Sequence, residues 1–374
     1  MLSIQSSLQL TFAAMNVVID LSLRNPGTDD SFFFSDELLA VLQEHYPKHR
    51  FTFINNENSR VNFSGSDRVK EILFNPSINP LRKIVQQKSL QKETEQLRPD
   101  VYIGTPGSIF SAQKKFCLFI SGADELKTAL KKSRKSKAVF CTDAFSFDQL
   151  QAHSLLNNSR LFYAPPPPLP FYKKIEWQER EQIKSELSGG SEYFLLLNPV
   201  LQETELVNLL KAFSFFKKRL QTSIKLVIAA RQEEFAASLL QLLATYKYNA
   251  DVVLAGDLTN NNKRASLAAA CYAALQIASP YKTYILPQDA LAAAVPVVLC
   301  GHPLHSSYEN MFIQAGTTPE DIARIMMLLY KDEQYRKQVI ENGQQGLHNF
   351  SHRVNAALLA ECIEYTAGEA SSFS

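Results

Sequence analysis

The sequence predicts an α/β chain made of two doubly wound domains. Three observations carry this. Short apolar runs rich in β-branched residues alternate with stretches of helical periodicity, the pattern of parallel sheets covered by helices. A proline break, Pro165 to Pro168 with Pro170 behind it, interrupts the alternation. Proline fixes φ and removes a donor, so the break reads as a linker. Beyond it the alternation starts again, and 374 residues are enough for two buried cores.

Residues 1–14 read as an N-terminal tail or the product of an upstream start codon. They are mildly apolar, interrupted by Gln and Ser, and lack the basic start of a secretory signal. The first domain, residues 15–164, opens with a strand at Met15 to Leu21. A polar loop from Ser22 to Asp30 leads to a helix over Ser31 to Tyr46, with Phe34, Leu38, Leu39, Val41 and Leu42 at helical spacing. The aromatic run Phe32 to Phe34 is expected to start this core helix rather than to line an acceptor wall. A strand at Arg50 to Asn55 completes a β-loop-α-β unit. A polar helix follows at Leu81 to Leu97. Strands follow at Asp100 to Gly104, Lys115 to Ser121 and Ala138 to Thr142, then a helix around Phe147 to Leu155 and a strand at Arg160 to Ala164.

The linker spans residues 165–175 and the second domain 176–350, with a C-terminal helix and tail over 351–374. In the second domain, strands are expected at Tyr193 to Asn198, Ile224 to Ala229, Asp251 to Leu254, Ala274 to Ile277 and Pro296 to Cys300. Helices are expected at Glu203 to Leu220, Glu233 to Tyr246, Ala265 to Cys271, Gln288 to Ala294, Thr318 to Tyr330, Asp332 to Leu347 and Arg353 to Glu364.

Composition excludes some classes. A net charge of +2 gives no general pull toward nucleic acid, and none is expected as a partner. No apolar run reaches the ~18 residues of a membrane span. The five cysteines are scattered, without a CxxC pair, and read as buried thiols in a reducing compartment. A cytoplasmic location follows, with peripheral contact at the inner membrane. That contact would use the run Lys127 to Lys137, whose six cations suit anionic head groups; a solvated helix face is the plainer reading of the same residues. His302 and His305 are spaced HxxH, but Gly301 and Pro303 keep them off a single helix face, so no metal site is expected.

The order of elements from about Tyr193 to Phe350 resembles the nucleotide-sugar domain of the retaining glycosyltransferases of family four, the group-one glycosyltransferases. The pieces that carry the resemblance are Leu210-Lys211-Ala212-Phe213 on the first helix and Val252 to Leu258 with Gly256. Further ones are Ser279-Pro280, Leu286-Pro287, Pro296-Val297-Val298, Thr318 to Ala323, Asn342-Gly343 and Asn349-Phe350-Ser351. The resemblance implies two facing Rossmann-like domains, the GT-B architecture, and a nucleotide sugar as co-substrate with no cofactor.

It also implies where the donor should lie. In the family two glutamates flank a glycine-bearing donor loop, which here reads Lys282 to Asp289. Lys282 stands at the first glutamate and Asp289 is nearest to the second, while Thr283 and Ile285 replace glycines. The loop after the first strand, Asn198 to Glu203, lacks the cations with which the family neutralises diphosphate. Candidate donor residues are therefore Asn198, Gly256, Lys282, Thr283 and Asp289, and the acceptor-side candidates are Ser121 and Gly122, just past a strand. The plainer reading of Asp289 is a helix N-cap, and that of Lys282 a solvated loop lysine.

Two functions fit. One is a retaining hexosyltransferase acting on a glycan or lipid-linked acceptor, resting on leaving-group stabilisation by preorganised donors. The other is a glycosyltransferase-like chain without transfer activity that binds a glycan or serves an active partner. An epimerase on the same architecture is a third, lesser reading, since no paired carboxylates stand at convincing positions.

Overall fold

In the computed structural model the described residues are 14–22, 36–55, 67–75, 77, 79–108, 115–120, 128, 130, 131, 135–142, 144–152, 160–197, 202–229, 237–256, 258, 260–277, 285–301 and 310–368. The first domain contains β1 (Asn16–Asp20), α1 (Asp36–His45), β2 (Arg50–Asn55), β3 (Val69–Leu73), α2 (Pro80–Gln96), β4 (Val101–Gly104), β5 (Phe116–Ile120), β6 (Ala138–Cys141), α3 (Ala144–Ala152) and β7 (Arg160–Tyr163). The second contains α4 (Trp177–Ser188), β8 (Tyr193–Leu196), α5 (Glu203–Leu220), β9 (Lys225–Ile228), α6 (Ala237–Thr245), β10 (Val252–Leu254), α7 (Asn261–Ala270), β11 (Ala273–Ile277), α8 (Pro287–Ala292), β12 (Val297–Cys300), β13 (Ile313–Ala315), α9 (Pro319–Lys331) and α10 (Glu333–Gly346). A last helix, α11 (His352–Ala367), follows.

Two parallel sheets result, ordered β3-β2-β1-β4-β5-β6-β7 and β10-β9-β8-β11-β12-β13. Each sheet reverses its winding direction once. The reversal falls between β1 and β4 in the first sheet and between β8 and β11 in the second. In open α/β sheets that switch point is where a crevice opens beyond the carboxyl ends of the strands.

The strands are buried on both faces, which is why they read as continuous apolar runs. One face of the first sheet packs Leu38, Leu39 and Leu42 of α1 with Leu359 and Ile363 of α11. The other face packs Leu90 of α2, Phe147 and Leu150 of α3, and Leu130. In the second sheet, α5, α6, α9 and α10 cover one face through Leu209, Phe213, Leu239, Ile325 and Val339. The opposite face takes Leu267 of α7, Leu291 of α8 and, from the linker, Leu169 and Tyr172.

Local chemistry sets several helix ends. Asn79 caps α2 by accepting from Leu81 N at 3.0 Å, and Pro80 occupies the first helical position, where a missing N–H costs nothing. At the end of α5, Lys217 donates to the Thr222 and Ile224 carbonyls and pairs with Asp251 at 2.9 Å. Thr318 caps α9 ahead of Pro319. Asn260 caps α7, so that helix begins at Asn261 rather than at the expected Ala265.

Three elements differ more. Strand β3 is added to the edge of the first sheet; its sequence is half polar and its exposed face hides the apolar signal. Helix α4 and strand β13 were also unexpected. The C-terminal helix α11 does not stay with the second domain but crosses back to the first sheet. All five cysteines are buried, and Cys117 on β5 meets Cys362 on α11 with 3.3 Å between sulfurs.

Candidate functional site

The second sheet sets the ends of β8 and β11 side by side. Strands β8 and β11 are neighbours, with Leu196 opposite Leu275, and Leu197 N donates to Leu275 O at 2.9 Å. The chain leaves β8 toward Asn198 and leaves β11 toward Lys282 and Thr283. Both departures flank the switch point of this sheet. Asn198, Lys282 and Thr283 themselves lie outside the described residues.

Gly256 sits just past the carboxyl end of β10, the edge strand, with φ +76°. An L-residue is strained in that conformation. An added Cβ there would stand 3.7 Å from Lys263 Nζ. Gly256 is thus on the same edge of the sheet as the ends of β8 and β11, with β9 and β8 between it and the switch point.

Of the two positions Lys282 and Asp289, only Asp289 is described, and its surroundings are specific. It is the third residue of α8 and not the N-cap, a position held by Leu286. Only 1% of it is exposed. One oxygen, Oδ2, accepts from Leu286 N at 3.0 Å, closing the first turn. The other, Oδ1, accepts from Leu169 N at 3.0 Å, in the interdomain linker. Neighbouring Gln288 donates to Pro166 O at 2.9 Å, and Asn355 of α11 donates to Pro165 O at 2.9 Å. The proline run explains the pattern. Four consecutive prolines supply carbonyls but no N–H, so buried side chains must donate to them, and Leu169 carries the first amide hydrogen after the run.

The first sheet has a polar cluster at its own switch point that the sequence reading missed. Asp20 ends β1, is 2% exposed, and accepts four hydrogen bonds. These come from Ser22 N at 3.1 Å, Ser22 Oγ at 2.6 Å, Tyr102 OH at 2.7 Å and Ser108 Oγ at 2.8 Å. Burial, reinforced by the charge on Asp20, pushes the Tyr102 phenol well above its ordinary pKa. Gly104 makes the close packing feasible, because a Cβ there would lie 2.9 Å from Ser108 and from the Tyr102 ring. The available signal was a carboxylate directly after the apolar run Val17 to Ile19 of β1. The acceptor-side candidates Ser121 and Gly122 directly follow β5, the neighbour of β4, and lie outside the described residues.

Among the described residues no group of three His, Cys, Asp or Glu side chains could hold a metal ion; His302 and His305 are outside them. Of the basic run, Lys131, Lys135 and Lys137 are described and exposed, while Lys127, Lys132 and Arg134 are not described, nor are Phe32 to Phe34. Among the described residues no helix is long and apolar enough to cross a membrane.

Two parallel doubly wound sheets, joined by a proline linker and by a helix that returns to the first, define the GT-B class. Residues 178–346 match the family model of the glycosyl transferases group 1. Solved structures of similar architecture include Anabaena HepE in complex with UDP and glucose, at 12% identity and TM-score 0.62, covering 93% of this chain and 98% of that one. A glycosyltransferase from Rickettsia africae matches at 12% identity and TM-score 0.64, covering 95% and 99%. WaaG, a glycosyltransferase involved in lipopolysaccharide biosynthesis, matches at 13% identity and TM-score 0.59, covering 93% and 99%. No curated protein sequence matches the chain.

Proposed function

We propose that the chain transfers a sugar from a nucleotide-sugar donor to a glycan or lipid-linked acceptor. The observation that carries this is the adjacency of the β8 and β11 ends at the switch point of the second sheet, inside the segment that matches group 1 glycosyl transferases. HepE, solved with UDP and glucose, has the same architecture. Nothing in these comparisons favours a chain without transfer activity.

In this reading the diphosphate lies over the two segments that leave β8 and β11. Lys282 faces the departing charge and Thr283 and Asn198 donate to it, lowering the barrier by preorganised electrostatics. Gly256 leaves room at the nucleotide end. Asp289 serves as a positioning residue, since both its carboxylate oxygens are held by backbone amides. The acceptor enters from the first domain, past Ser121 and Gly122, with the Asp20–Tyr102–Ser108 cluster as the rigid floor beside it. The exposed cations Lys131, Lys135 and Lys137 support peripheral contact with an anionic membrane surface.

Calorimetry with UDP, GDP and their sugars tests the donor reading. Binding that weakens on Lys282→Ala is expected; no binding at about millimolar nucleotide would overturn it.

A further inference from the structure

Helix α2 is amphipathic in the wrong sense for a helix that only covers a sheet. Its inward side is set by Leu90 and Thr94, which are buried. At 3.6 residues per turn, Leu81 lies on the opposite side from Leu90. Yet Leu81 is 76% exposed, Ile84 50% and Val85 68%. Their spacing puts these three on neighbouring positions of one face, and Lys88 and Lys92 continue that face along the next turns. Core packing therefore does not account for the apolar residues, because they point away from the core.

Charge narrows what covers them. From Pro80 to Lys92 the helix carries Arg82, Lys83, Lys88 and Lys92 and no acidic residue. Its anions come only at the end, where Glu93 pairs with Lys70 of β3 at 3.9 Å and Glu95 accepts from Gln91. A symmetric contact with a second copy would set these cations against themselves. A nucleic acid would leave the apolar trio without a partner. An anionic lipid surface satisfies both halves, with apolar side chains entering the acyl boundary and lysines meeting head groups.

Position agrees. Leu90 of α2 and Leu130 of the basic segment pack on the same face of the first sheet, so Lys131 shares the layer of α2. Six residues separate the end of β3 at Leu73 from the start of α2 at Pro80. All strands of this sheet run parallel, so the apolar turn stands at the edge where the strands end and the crevice opens.

We propose that α2 is an interfacial helix that docks the first domain on an anionic lipid surface through Leu81, Ile84 and Val85, flanked by Arg82, Lys88 and Lys92. The proposal does not rest on the transferase reading, since docking needs no donor.

The test is co-sedimentation of the full chain with phosphatidylcholine vesicles, with and without about one third phosphatidylglycerol, near 0.15 M salt. Binding is expected only with the anionic vesicles. The exposed triple variant Leu81→Ser/Ile84→Ser/Val85→Ser should lower the partition coefficient by about tenfold or more, with an unchanged thermal midpoint. Lys88→Glu/Lys92→Glu should weaken binding in the same way. Absence of binding by the parent chain overturns the proposal, as does full binding by the triple variant. Loss only on Lys131→Glu/Lys135→Glu would assign the contact to the basic segment instead. A concentration-dependent dimer without vesicles, abolished by the triple variant, would assign the face to a second copy and equally overturn it.

Discussion

The Asp289 carboxylate accepts a hydrogen bond of 3.0 Å from the Leu169 amide, a residue 120 positions earlier in the chain. The contact ties the first turn of α8 to the first amide hydrogen after four prolines. Asp289→Asn must turn an NH₂ toward one of two buried N–H donors. Leaving a buried donor unsatisfied costs about 1–3 kcal/mol, so the urea midpoint should fall clearly. Nucleotide affinity per folded molecule should stay close to the parent's. Weaker nucleotide binding at unchanged stability would instead put the carboxylate on the ribose.

Tyr102→Phe removes one of the donors held by Asp20. The carboxylate keeps Ser22 and Ser108, so a loss of about 1–2 kcal/mol is expected from denaturant unfolding. Gly104→Ala should cost about 1–3 kcal/mol, because the new methyl meets the Ser108 side chain and the Tyr102 ring at 2.9 Å. A Gly104→Ala chain as stable as the parent would show that this cluster yields easily.

Two histidines make stability depend on pH. Burial lowers the pKa of His49, against an opposing pull from Asp100, and lowers that of His352, against Glu37. His49 Nδ1 accepts from Met15 N at 3.3 Å, which requires the neutral ring. The unfolded chain takes up protons near the ordinary value of 6.5, where the folded chain does not. Stability from these groups is therefore complete above about pH 6.5 and is lost as pH falls through that value toward the lowered folded pKa. His49→Gln should reduce the drop in urea midpoint between about pH 7.5 and 5.5; an unchanged drop would remove His49 from the cause.

Thiol chemistry should be silent in the native chain. Burial pushes Cys271 and Cys300 up to about 12, and pushes Cys362 well up, with Cys117 adding to it. All five thiols are buried, and the thiolate is the reactive form. A disulfide-exchange reagent at about pH 8 should label none before unfolding and all five after it. A count two lower after non-reducing unfolding would mean that Cys117 and Cys362 had joined.

The strands were legible because a doubly covered parallel strand is apolar throughout, as Tyr193–Leu196 and Phe116–Ile120 are. The Pro165–Pro168 break and the caps at Thr318 and Asn79 carry equally local signals. Strand β3 was not legible, because Lys70 and Glu71 interrupt an edge strand that needs burial on one side only. Helix α4, beginning at an exposed Trp177, has too weak an apolar stripe to announce itself. The site was harder still. The Asp20 cluster joins residues up to 88 apart, and no sequence period marks a carboxylate that meets a tyrosine from the next strand. Asp289 was legible as a helix-start residue, but its bond to Leu169 exists only once the linker packs on the second sheet.

Helix α11 has a consequence for synthesis. Leu359, Cys362 and Ile363 complete the core of the first sheet, yet a ribosome adds them after the second sheet and every element around it. The first domain to be made is thus the last to be finished. Its nascent sheet must wait with one apolar face covered only in part, by α1, and a chain shortened before Ser351 should leave the rest of that face open to aggregation or to a chaperone's grip.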